Sequence, residues 1–365
     1  MPSPDVASLL ASLDDQDVTP ETVLRVRKAI YTHDQLTASD MDLVFSVARK
    51  ATCQPCPEWT NLFCEALTDY VVHQNDPPDY IPQNKADWLT ATLANNGGIC
   101  SRTEFDMLID VMTHALGVPT SLSTFALNEI KTAIMSGRRG AITGEDHPPG
   151  VVTKADVEAL RAVLYAATTG TADHVTRDEA EVLFEIAHIT SQHATSQADP
   201  SFDDLFARAI SNYLMAISVH APDAAEALHF EKWLDTKEDL KEGVVEYLEN
   251  FARGLLHGGL QAKSSFNLLE SPEQAYEDDM AVQDAIDEGL RDESEKITGP
   301  EAAWVIAHLT RDGELSSAEK RLLQFLGMEA PSIAPPLQTL IKKENAATSL
   351  TFGRRESSQL PAPQD

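Results

Sequence analysis

Apolar positions along this 365-residue chain recur at spacings of three and four, and strand-like alternation is scarce. That period gathers them on one face of a helix and predicts an all-α protein. The clearest stripes follow four short polar elements. These are His33-Asp34-Gln35-Leu36-Thr37-Ala38-Ser39-Asp40, Gly97-Gly98-Ile99-Cys100-Ser101-Arg102-Thr103-Glu104, Ala172-Asp173-His174-Val175-Thr176-Arg177-Asp178-Glu179 and Asp312-Gly313-Glu314-Leu315-Ser316-Ser317-Ala318-Glu319. Each reads Asp or Gly, any residue, an apolar residue, Ser or Thr, two further residues and an acid. At three, four and seven positions past that acid every version is apolar: Leu43, Val44, Val47; Met107, Leu108, Val111; Val182, Leu183, Ile186; Leu322, Leu323, Leu326. Each element therefore opens a helix that buries one stripe.

A longer segment also returns. Pro57 to Leu67, followed by Tyr70, matches Pro200 to Ile210, followed by Tyr213, with Trp59, Leu62, Phe63 and Ala66 answered by Phe202, Leu205, Phe206 and Ala209. Such recurrence predicts two tandem duplicated helical-bundle domains. The first spans 19–137 after an N-terminal extension at 1–18; the second spans 153–343. Gly137 to Gly150, rich in Gly, Arg and Pro, reads as a linker over 138–152, and 344–365 as a disordered tail. Tyr70 and Trp88 stand 18 positions apart but Tyr213 and Trp304 stand 91 apart, so the second copy carries a long acidic helical insertion at about 225–299. Val244, Val245, Leu248, Phe251, Leu255 and Leu256 give it helical spacing, with a break at His257-Gly258-Gly259.

Charge narrows the function. Lys and Arg number 28 against 58 Asp and Glu, a formal net charge of −30. That field repels nucleic acid and anionic lipid, and it favours cations, basic partners or plain solubility. Cys53, Cys56, Cys64 and Cys100 all lie in the first third, without counterparts in the second copy, which argues for reduced thiols and a cytoplasmic location. No leader-like start and no run of about 18 apolar residues is present. Cys53-Gln54-Pro55-Cys56 lacks the second pair that zinc would need. There is no phosphate-cradling loop, H-E-x-x-H pair or G-x-S-x-G element.

The recurrent acid has two readings. As a capping box, Thr37, Ser101, Thr176 and Ser316 are N-caps, and Asp40, Glu104, Glu179 and Glu319 bond back to the cap amide. Glu is expected to reach better than Asp. As a degenerate EF-hand loop, the acid is the bidentate ligand of a divalent cation. The fourth version fits best, with Asp312, Gly313, Leu315 and Glu319 at loop places five, six, eight and twelve, but His308 and Thr310 stand at the first and third. The capping box accounts for all four versions.

Asp312 to Glu319, and more loosely Gly98 to Glu104 and Asp173 to Glu179, resemble the tellurite-resistance-protein-B-like (TerB-like) family. Its members are bacterial all-α domains with an internal helical duplication. The resemblance implies that fold and, for the acidic members, metal binding, here at Asp312 and Glu319 and next at Asp173 and Glu179. In this chain only the fourth version keeps Asp and Gly together; Asp34 and Asp173 stand where glycine belongs.

The residues thus predict a non-enzymatic cytoplasmic protein that binds a protein partner through its acidic surface, without a cofactor, nucleic acid or membrane. The alternative is a divalent-cation-binding protein, with Ca²⁺ or a similar ion, acting in a metal or stress response.

Overall fold

Helices account for 75% of the described residues. In the computed structural model these are residues 18–33, 35–50, 56–138, 140–144, 146–168, 175–192, 199–215, 296–311, 313–330 and 332–356. They form an all-α fold whose only described strands are two residues long. Nearly all of the predicted insertion, the predicted tail beyond 356, and Cys53, Asp173 and Asp312 lie outside the described residues. The chain divides into two compact units. One holds the described residues of 1–149 and 158–172, the other those of 150–157, 173–220 and 250–365.

In the first unit the order is α1 Pro20–Ile30, α2 Ala38–Lys50, α3 Pro57–Thr68, α4 Gln83–Asn95, α5 Arg102–Thr113, α6 Thr120–Ser136 and α7 Gly140–Thr143. Proline at the first turn of α1 and α3 costs nothing there, because the missing N–H would have had no helical partner. α3 packs against α5, with α1 and α2 also against α3 and α4 against α6. Helix α3 runs into a π turn, Asp69–His73, closed by Gln74 N–H donating to the Asp69 carbonyl at 2.9 Å. Tyr80 pairs in parallel with Gly117, each three residues before a helix.

The second unit contains α9 Arg177–Gln192, α10 Pro200–Met215, β1 Lys296–Ile297, α11 Gly299–Leu309, α12 Ser317–Glu329, β2 Ser332–Ile333 and α13 Pro335–Glu356. Its most extensive packing is α10 on α12, and α13 lies on α11 and α12. At Gly327 a Cβ would come within 2.9 Å of Ile341 Cγ2, so glycine sets how closely α12 and α13 approach. β1 and β2 pair in parallel, Lys296 with Ser332 and Ile297 with Ile333. All twelve stripe residues named from the four polar elements are buried.

Three segments differ from the sequence expectation. The predicted linker contains α7, whose Ile142 is buried and whose Ile142 carbonyl accepts from Arg102 Nη1 at 2.7 Å. Gly137, at φ +75°, does end α6, but one apolar side chain suffices to dock the segment that follows onto α5. The predicted tail begins too early: α13 continues to Glu356, since Lys342 to Ala347 contains good helix formers and no breaker. Helix α8, Lys154–Thr168, was expected wholly in the second copy, yet 158–168 belong to the first unit. Periodicity marks which face is buried and not which neighbour buries it.

Candidate functional site

The recurrent carboxylates close the starts of helices. Glu104 Oε2 accepts from Cys100 N at 2.7 Å and Ser101 N at 3.2 Å, while Ser101 Oγ accepts from Glu104 N at 3.2 Å. Glu319 accepts from Ser316 N at 2.7 Å, and Ser316 Oγ accepts from Glu319 N at 3.2 Å. Glu179 accepts from Thr176 N at 2.8 Å and is only 2% exposed. These are reciprocal capping boxes. Asp40 makes the same bond to Thr37 N, at 2.8 Å, so the shorter acid reaches as well as glutamate does. Asp156 and Glu301 accept in the same way from Thr153 and Thr298, two boxes that the four-element pattern does not include. Burial pushes the Glu104 carboxyl above its ordinary range, against the pull of the two amides and Arg49.

Of the four residues named for a cation, Glu179 and Glu319 thus sit at helix starts, each with an oxygen committed to a cap amide. Asp173 and Asp312 are outside the described residues. His308, at the first place of the EF-hand alignment, stacks on Phe184 with ring centroids 4.4 Å apart, and Thr310 Oγ1 donates to the Ile306 carbonyl. Among the described residues no three His, Cys, Asp or Glu side chains are grouped to hold a metal ion. Cys56 and Cys64 are half-buried free thiols. Burial, followed by Asp110 and Asp106, pushes the Cys64 thiol up to about 12, so it stays protonated at neutral pH.

The rings form the second recurrent arrangement. In the first unit Phe63 meets Phe45 edge-on at 5.4 Å and Trp59 at 5.9 Å; Phe45 meets Trp88 at 6.2 Å, and Trp88 meets Tyr70 at 5.1 Å. In the second unit Phe206 meets Phe184 edge-on at 5.0 Å and Phe202 at 6.1 Å; Phe184 meets Trp304 at 5.4 Å, and Trp304 meets Tyr213 at 5.1 Å. The inner rings, Trp59, Phe63, Phe202 and Phe206, are fully buried. The Tyr–Trp pairs at the outer end are half-buried.

Charged groups border these outer pairs. In the first unit Lys85 Nζ lies 3.0 Å from the centroid of the Tyr70 ring. Burial pushes its ammonium down to about 8, while the ring face favours the charged form. In the second unit Trp304 Nε1 donates to Glu181 Oε1 at 2.7 Å, and His308 Nε2 lies 3.1 Å from Glu181 Oε2. Arg177 lies over the Trp304 ring at 5.6 Å. Half-exposed Trp and Tyr beside paired charges are what protein contact surfaces use as anchors. Sequence reasoning passed over Lys85, Arg177 and Glu181. The available signal was the helical spacing of Arg177 with Glu181 and of Trp304 with His308, four positions in each case.

No family model, curated protein or solved structure matches this chain. Among the described residues no helix is long and apolar enough to cross a membrane.

Proposed function

We propose that this chain is a non-enzymatic cytoplasmic protein, two helical units of one ancestry, that binds a basic protein partner through its acidic surface. The observation that carries the reading is the net charge of −30 combined with two half-buried Tyr–Trp pairs, of which Tyr213–Trp304 is bordered by the acid Glu181. A strongly acidic surface speeds encounter with a basic partner, and the rings supply contact area at low entropic cost. The common ancestry is supported by the same ring order, the same parallel pairing ahead of two helices and the same capped acids in each unit. These capped helix starts also favour the TerB-like resemblance. The non-enzymatic reading draws on what the candidate groups are doing: the recurrent carboxylates hold helix starts, and Cys64 is kept protonated.

The test is calorimetric titration of the full chain with hexalysine and with hexaglutamate at two salt concentrations. Hexalysine should bind and weaken steeply as salt rises, and hexaglutamate should not bind. Binding that ignores salt, or no binding of hexalysine, overturns the reading. A calcium-dependent rise in melting temperature that disappears in Glu319→Gln would put the cation reading in its place.

A further inference from the structure

The two Tyr–Trp pairs share a geometry and differ in the charge that faces them. Tyr70 and Trp88 meet at 5.1 Å and 73°, Tyr213 and Trp304 at 5.1 Å and 69°. In the first unit the chain supplies its own cation, with Lys85 Nζ 3.0 Å from the Tyr70 centroid. Lys85 is the third residue of α4, and the third residue of α11 is Glu301. The Tyr213 hydroxyl is pushed up first by burial; Arg177 lowers it, and Glu301 and Glu181 raise it again. Glu181 holds Trp304 Nε1 at 2.7 Å, and Glu301 stands three positions before Trp304 on α11, which puts both carboxylates beside the ring pair. Glu301 holds Thr298 through Oε2. Arg177 lies over Trp304 and pairs with Glu181 at 3.8 Å. Among the described residues no lysine or arginine lies over Tyr213.

We infer that the Tyr213–Trp304 pair, flanked by Glu301 and Glu181, takes a lysine side chain from a basic segment of a partner protein, in the position that Lys85 fills in the first unit. The inference rests on the basic-partner reading and adds to it a place and a side chain. The ammonium lies on the Tyr213 ring and is drawn there by the two carboxylates, while its methylene stem runs along apolar ring surface. The first unit cannot take the same guest, because its own lysine occupies the ring.

The experiment is calorimetric titration of the full chain and its variants with hexalysine, at about 0.15 M salt, where exposed charges are screened beyond about 8 Å. Glu301→Lys should weaken binding about tenfold, since it places a cation where the guest would sit. Glu314→Lys makes the same change of charge at an exposed loop position and should weaken it less than about threefold. Because Glu301→Lys also removes a helix cap, Tyr213→Leu is read alongside; it keeps both carboxylates and should weaken binding about fivefold. Lys85→Ala should add a second equivalent of bound peptide. Equal weakening by Glu301→Lys and Glu314→Lys, or no effect of Tyr213→Leu, overturns this site and leaves the basic-partner reading standing. An unchanged stoichiometry in Lys85→Ala overturns the parallel with the first unit and with it the inference. Absence of hexalysine binding to the unaltered chain overturns both.

Discussion

The two units solve the same packing problem with the same rings and then part company at the surface. Phe45, Phe63 and Trp88 in one, and Phe184, Phe206 and Trp304 in the other, meet edge-on at closely similar separations. Around that framework Lys85 stands where the other unit has Glu301, and Glu181 ties Trp304 to His308. The interior of a small bundle has few ways to be filled, because rings must interlock at crystal-like density. The rim is under no such constraint, and a change of charge there costs little stability. The contrast places stability in the rings and, on the proposed basic-partner reading, specificity at the rim.

Phe63→Ala and Phe206→Ala should each cost about 3–5 kcal/mol, since both rings are fully buried and each leaves a cavity. Denaturant melts of the two variants check this. A loss below about 1 kcal/mol in either would mean that its unit is not held by the ring lattice.

A smaller difference separates the helix entrances. Glu104, which closes the start of α5, is buried, and Glu319, which closes the start of α12, is half-buried. Glu104→Ala should therefore cost about 1–3 kcal/mol and Glu319→Ala about 1 kcal/mol. Thermal melts of the pair test the order, and the reverse order would show that desolvating the Glu104 carboxylate cancels the benefit of its cap.

The smallest effect concerns Lys85. Its folded ammonium titrates near 8 against 10.5 for the free side chain, so between those values the unfolded chain holds more protons. Stability should then rise gently with pH from about 8 to 10.5, and Lys85→Met should flatten that slope. At pH 8 an amine-reactive ester should label Lys85 ahead of Lys342 and Lys343, read by peptide mass spectrometry. Equal labelling would place the Lys85 ammonium in ordinary water.

Much of this fold is legible in the order of residues, because the forces that set it are local. The stripe Leu322, Leu323, Leu326 and the Ser316–Glu319 box lie within one short window, so spacing alone reveals both the helix and its entrance. The contact of Trp304 with Glu181 is not legible in this way. It joins residues 123 positions apart, and nothing in the sequence near either one announces the other. The division of α8 escapes for a related reason: an amphipathic face specifies that it must be covered and leaves the covering element open. Lys85 was readable only as one more polar residue on a helix, since its meaning comes from a ring that approaches from the end of α3.

The short parallel pairings ahead of the helices have a topological meaning. Tyr80 joins Gly117 at a separation of 37 positions, and Lys296 joins Ser332 at 36, each enclosing one pair of helices like the neck of a noose. Closing rings of nearly equal circumference takes nearly equal chain entropy, however much sequence lies outside the knot. Whatever length separates Met215 from Lys296 is thus excluded from the second noose, so evolution could lengthen or shorten that stretch without making this closure harder.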